Sequence, residues 1–160
     1  VTPADLIAEL RRRGVDLAVA ESLTGGALSS ALVEVPGASA VYRGGVVSYA
    51  TELKHCLLGV DARVLEARGP VDPGVALQMA RGAASRLAAN ERLTLGLATT
   101  GVAGPDPQGG AAVGTVFVAA VLGADELVRE HRFDGDRAAI RSASVGAVLT
   151  LGAELLAHRA

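Results

Sequence analysis

The chain has 160 residues, half of them hydrophobic and a fifth charged, with a net charge of -2. This suits a folded domain with a real core and excludes a disordered chain. Aromatic residues make up 2% and there is no basic excess, so the charge and stacking surfaces of a nucleic-acid binder are missing.

In chain order, residues 2–10 (TPADLIAEL) read as a helix start. Thr2 can cap, Pro3 suits the first turn, and Leu6, Ile7 and Leu10 share a face. Arg11, Arg12 and Arg13 favour the dipole at the helix end, which Gly14 closes. Residues 15–22 (VDLAVAES) form a short buried strand, and 24–35 a helix with Gly25 and Gly26 in its first turn. Residues 42–50 (YRGGVVSYA) are a strand whose Gly44 and Gly45 signal a bend or a close backbone approach. Residues 51–59 (TELKHCLLG) are a short helix capped by Thr51, with Cys56 expected in its core face, and 61–69 another. Residues 72–90 are a helix capped by Asp72 and stopped by Asn90. Strands follow at 93–101, 115–123 and 126–133, the last two joined as a hairpin through Gly123, Ala124 and Asp125, before a long C-terminal helix.

Strands alternate with helices for two-thirds of the chain and a hairpin closes the sheet. The expected fold is α/β: a three-layer α/β/α sandwich with a mixed, mostly parallel sheet, in one domain spanning 1–160. No run of about 18 apolar residues predicts a membrane span. The chain start lacks the basic-then-apolar layout of a signal peptide, and one cysteine excludes an internal disulfide, so a cytoplasmic protein is expected.

In open α/β sheets ligands sit beyond the C-terminal strand ends. Those ends carry ESLTGG (21–26), SYATELK (48–54) and TTGVAGP (99–105), which are predicted to face one cleft. ESLTGG passes from strand to helix, and its free N–H groups suit an anion or a carbonyl oxygen. The alternative is that Ser22 or Thr24 simply caps the helix. No phosphate-binding P-loop or dinucleotide fingerprint is present, so neither ATP nor NAD is indicated and no cofactor is expected. TTGVAGPDPQGG (99–110) follows a buried strand and is long enough for a binding loop. Arg137 and Arg141 lie four apart on one helix face near its N-terminus, where cations oppose the dipole. They suit a phosphate or carboxylate, or else pair with Asp134, Asp136 or another acid.

The chain has fourteen arginines and a single lysine, Lys54. Arginine cannot lose its proton in a protein, whereas a buried lysine can, so a chain rich in arginine keeps lysine where deprotonation is needed. Leftover codon usage is the competing explanation. His55, His131 and His158 fit a Ser-His-Asp triad poorly, and no Cys/His cluster has metal-ligand spacing, so no zinc site is predicted.

The motifs ESLTGG, VPGASAVYRGGVVSYATELKHCLLGV, GPVDPGVALQMARGA, TTGVAGPDPQGG and VGTVFVA together resemble the C-terminal domain of the competence/damage-inducible CinA family, from about Val15 to Arg141. Stand-alone members of that family include nicotinamide-nucleotide amidohydrolases. The resemblance implies hydrolysis of the carboxamide of nicotinamide mononucleotide to nicotinate mononucleotide and ammonia. It also implies a homodimer, with no nucleic-acid or membrane partner. By position it carries over a nucleophile at Ser39, a tyrosine at Tyr49 and a base at Lys54, with Ser22 and Ser48 as rival nucleophiles. Ser22, Thr24, Gly25, Gly26, Ser48, Thr99, Thr100, Gly101 and Gly104 would line the substrate pocket, and Arg137 or Arg141 would receive the 5′-phosphate. A nucleotide- or partner-binding module without turnover is the reading from a different class.

Overall fold

The computed structural model describes residues 1–89 and 91–158. Helix α1 (Pro3–Arg13) opens on a capping box: Thr2 accepts from the Asp5 N–H while the Asp5 carboxylate accepts from the Thr2 N–H. Gly14 ends it at φ 66°, a left-handed conformation that glycine adopts without strain. Strand β1 (Asp16–Glu21) is buried at every position. Then come α2 (Ala27–Val33), a 3-10 turn (Ala38–Ala40), β2 (Tyr42–Val47), α3 (Thr51–Leu58), α4 (Ala62–Arg68) and α5 (Pro73–Arg86). Strands β3 (Thr94–Gly101), β4 (Thr115–Leu122) and β5 (Asp125–Arg132) precede the 22-residue α6 (Arg137–His158).

The sheet order is β2-β1-β3-β4-β5. β1 pairs in parallel with β2 and β3, while β4 runs antiparallel to both β3 and β5. Four of the five strands therefore point one way, as the alternating pattern predicted. Side chains alternate across a strand, and β1 shows what each face receives. Leu17 and Val19 join α1, α2 and α6 in one apolar cluster, whereas Ala18 and Ala20 join α3, α4 and α5 in the other. The alanine face lets α5 come close. A Cβ on Gly96 of β3 would lie 2.1 Å from the Ala80 carbonyl, and one on Gly82 would lie 2.1 Å from that of Leu58.

Among the described residues, α6 is the helix long and apolar enough to cross a membrane. Its buried stripe, including Ile140, Ser144, Val148, Leu151 and Leu155, packs into the core instead. Gly45 fulfils the expected close approach: a Cβ there would meet Ser29 Oγ at 2.6 Å. One expected cap differs. Ala50, not Thr51, precedes α3, and it makes no side-chain cap; Thr51 is the first helical residue. Asp72 caps α5 as expected, accepting from Gly74 and Val75 N–H, whereas Asn90 lies outside the described residues.

Candidate active site

The parallel strands β1, β2 and β3 end side by side, with Glu21 paired to Val47 on one side and Thr99 on the other. The ladder continues one residue further. Ser22 N–H donates to the Thr99 carbonyl at 3.0 Å, and Ser48 N–H donates to that of Glu21 at 2.9 Å. Ser22 and Ser48 are thus fixed as neighbours at the mouth of the sheet.

Helix α3 begins three residues after Ser48, and Lys54 is its fourth residue. Helical side chains lean toward the helix N-terminus, which directs Lys54 back over the strand ends. Its Nζ donates to the Ser48 carbonyl at 2.7 Å and lies 3.0 Å from Ser22 Oγ. The residue is 1% exposed and, among the described residues, donates to no carboxylate. Burial, opposed by the charge of Glu52, pulls its pKa from 10.5 down to about 8. The charged amine donates to both oxygens. Once neutral, it keeps the bond to Ser48 and takes the Ser22 hydroxyl proton on its lone pair. That is the arrangement of a serine nucleophile with a lysine base.

The segment after Ser22 is held by Glu21. This fully buried carboxylate accepts from the N–H groups of Gly26, Leu28 and Ser29 and from Ser29 Oγ, at 2.6–3.1 Å. It fills the N-terminus of α2, so that end does not receive a substrate anion. Neither Ser22 nor Thr24 caps the helix; Gly26 sits at the cap position. The cleft above Ser22 and Lys54 is walled by Tyr49, Pro70, Val71, Thr100–Gly104, Asp106, Gln108 and Arg137. Arg137 donates to the Gly104 carbonyl at 2.7 Å and to the Tyr49 hydroxyl at 3.0 Å, linking the loop after β3 to the end of β2.

The sequence profile of the CinA C-terminal domain matches residues 2–156. The chain belongs to the CinA C-terminal domain family. A CinA-like protein of Frankia casuarinae is 49% identical over 148 residues, which are 92% of this chain and 33% of that protein. A putative competence-damage inducible protein of Desulforamulus reducens is 42% identical over 89% of this chain and 34% of its own length. The chain therefore spans about a third of these relatives. Among solved structures, the competence/damage inducible protein CihA of Agrobacterium tumefaciens matches with TM-score 0.89 and 36% identity, over 96% of this chain and 92% of that one. A CinA superfamily protein of Klebsiella pneumoniae matches with TM-score 0.90 and 30% identity, over 98% and 96%.

In this CinA domain the residues expected from sequence divide into three groups. Ser22, Tyr49, Lys54, Thr100, Gly101, Gly104 and Arg137 line the cleft. Ser48, Thr24, Thr99, Gly25, Gly26 and Arg141 lie behind it. Ser48 presents its backbone carbonyl to Lys54, and its buried Oγ has no partner. The Thr24 and Thr99 hydroxyls bond each other at 2.8 Å in the core. Gly25 and Gly26 shape the turn at φ 56° and 98°, and Arg141 bonds the carbonyls of Leu23 and Thr24, not an open pocket.

Ser39 forms the third group and corrects the expected pairing with Lys54. It sits exposed in the turn before β2, at the sheet end occupied by Leu17. The length of β2, about 17 Å at about 3.3 Å per residue, separates it from the strand ends that hold Lys54. Tyr49 shares the cleft with Lys54, but its hydroxyl bonds Arg137. Cys56 is exposed, contrary to expectation. Lys54 and Leu58, four apart, take the inward face of α3, so a residue two positions from each must point outward.

Two cleft elements, the Pro70–Val71 wall and Asp106 with Gln108, were not singled out from sequence, nor was the buried carboxylate of Glu21 behind the cleft. Glu21 had a readable signal, an acid just ahead of a glycine-opened helix. The Pro70 wall joins the site only through folding, where its carbonyl accepts from Thr100 Oγ1 at 2.7 Å.

The depressed lysine pKa has a consequence for stability. Between about pH 8 and 10.5 the unfolded chain binds this proton and the folded chain does not, so the stability of the wild type relative to Lys54→Met rises with pH across that window. The full difference is about 3 kcal/mol, and below about pH 8 the relative stability is flat. Urea denaturation of both proteins at pH 7 and pH 10 checks this; an unchanged difference would refute a depressed lysine.

Proposed function

We propose that this domain hydrolyses the carboxamide of nicotinamide mononucleotide to nicotinate mononucleotide and ammonia. The observation that carries the reading is a buried lysine, partly neutral near physiological pH, 3.0 Å from a serine hydroxyl in the cleft. The family resemblance supplies the substrate. In the reading, neutral Lys54 takes the Ser22 proton as Oγ attacks the carboxamide carbon. The resulting ammonium returns the proton to the departing nitrogen, and the C–N bond breaks to release ammonia. Water then attacks the acyl-serine, gives its proton to Lys54, and Ser22 leaves with that proton restored.

Arg137 is the cleft cation suited to the 5′-phosphate. Both its contacts, the Gly104 carbonyl and the Tyr49 hydroxyl, are neutral, so its charge is not offset by a bonded acid. Arg137→Met should raise KM for the mononucleotide at least about tenfold while leaving the riboside, which lacks phosphate, within about twofold. An equal effect on both substrates would remove the arginine from phosphate recognition.

The deciding experiment measures ammonia release by the wild type from nicotinamide, its riboside and its mononucleotide. Turnover of the mononucleotide in preference to the other two supports the reading. Tight mononucleotide binding by calorimetry with no ammonia release would favour a binding module instead.

A further inference from the structure

The geometry points to the Leu23 N–H as an oxyanion donor for acyl transfer at Ser22, and to Arg141 as the positioning residue that fixes it. The inference rests on the Ser22–Lys54 reading of the site, but not on the identity of its substrate.

The turn after Ser22 is gripped from two sides. Glu21 takes the N–H groups of Gly26, Leu28 and Ser29. Arg141, reaching in from α6, takes the carbonyls: Nε donates to Leu23 at 2.9 Å and the guanidinium Nη2 to Thr24 at 2.7 Å. Ser22's own carbonyl accepts from the Gly25 N–H at 3.0 Å and closes the turn. The N–H groups of Ser22, Gly25, Gly26 and Ala27 all have acceptors in the protein. Among the described residues, those of Leu23 and Thr24 have none, although the two residues are only 4% and 0% exposed. Buried backbone donors without an acceptor are rare in folded proteins and call for an explanation.

A trans peptide is planar and places its N–H opposite its carbonyl. The Ser22 carbonyl points into the turn, toward Gly25, so the Leu23 N–H points out of it. Leu23 borders the same cleft as Ser22 and Lys54. The N–H of the residue after a serine nucleophile lies on the side where the attacked carbonyl oxygen becomes negative, which is how it serves other serine hydrolases. The Thr24 carbonyl that Arg141 holds shares its peptide with the Gly25 N–H, which in turn bonds the Ser22 carbonyl on the peptide of the Leu23 N–H, so Arg141 fixes that N–H through the Gly25–Ser22 hydrogen bond. Its two bonds call for the planar fork of arginine, because a lysine ammonium cannot hold both carbonyls in the same geometry. This accounts for Arg141 in a place where it cannot receive a substrate phosphate, while Arg137, one helical turn earlier, faces the cleft.

The test follows acylation and turnover separately in the wild type, Ser22→Ala, Arg141→Met and Arg141→Lys. The acyl donor p-nitrophenyl acetate reports the first step: Ser22 Oγ bonds the acetyl carbon, p-nitrophenolate departs, and Lys54 holds the serine proton. Nicotinamide mononucleotide reports the whole cycle through ammonia. The wild type should give a p-nitrophenolate burst that Ser22→Ala lacks. Arg141→Met should slow acylation and kcat at least tenfold, with KM within twofold and the pH midpoint near 8 retained. Arg141→Lys should fall between it and the wild type. Arg141→Met acylating within twofold of wild type, or raising KM with kcat retained, would overturn the inference. If Arg141→Met does not fold, Arg141→Lys decides on the same criteria. A wild type that bursts with the ester but releases no ammonia removes the substrate reading and leaves this one standing; a wild type inert to both overturns it.

Discussion

Lys54→Ala and Lys54→Arg should each lower turnover of nicotinamide mononucleotide by about ten-thousand-fold or more, with the fold retained by circular dichroism. The alanine variant removes the only group among the described residues within hydrogen-bond distance of Ser22 Oγ that can accept its proton. The arginine variant is the sharper test, because it keeps the positive charge and several donors while abolishing deprotonation. If Lys54 served only to hold a substrate carbonyl or phosphate, arginine would do so equally well. Substantial activity in Lys54→Arg would therefore end the neutral-lysine mechanism. The wild type should also lose activity about tenfold per pH unit below about 8, since only the neutral fraction can take the serine proton. That slope should vanish from any residual activity of the alanine variant.

The alternation of strands and helices made the three layers readable, because burial on both faces leaves non-alternating apolar stretches at Leu17–Ala20 in β1 and Leu95–Ala98 in β3, and periodicity marks the long helices. Convergence of the three motifs at one cleft followed from parallel strands ending together. The chemical oddity of Lys54 was equally legible, since one lysine among fourteen arginines singles out deprotonation. What could not be read was which hydroxyl it meets. Ser22 and Lys54 are 32 residues apart, and their contact depends on β1 lying next to β2 and on α3 folding back over both. Ser39 is nearer in sequence, but a whole strand carries the chain away from it. Arg137 and Arg141 likewise look equivalent on a helix face. They separate only because Arg137 meets the loop after β3 and Arg141 meets the turn after β1. Cys56 misled because a run of apolar residues does not say which side of a short helix is inward when the inward side holds a lysine.

The serine itself can be settled by three alanine variants with unequal outcomes. Ser22→Ala should be lowered by about ten-thousand-fold, comparable to Lys54→Ala, because residues that act as a unit fail together. For the same reason the Ser22→Ala, Lys54→Ala double variant should be no worse than either single one. Ser48→Ala should stay within about tenfold of wild type, since Lys54 uses the Ser48 backbone carbonyl, which alanine retains, and the Ser48 hydroxyl has no partner to lose. Ser39→Ala should be close to wild type, because the exposed turn that carries it lies at the far end of β2 from the cleft. A folded Ser39→Ala that is as inactive as Lys54→Ala would mean that Ser39 reaches a cleft by a route this chain alone does not provide, such as a second copy, and Ser22 would lose its role as nucleophile. Trapping the acyl-enzyme by acid quench and locating the adduct by mass spectrometry distinguishes these outcomes independently of rate: the acyl group should reside on the peptide containing Ser22 and be missing from the one containing Ser39.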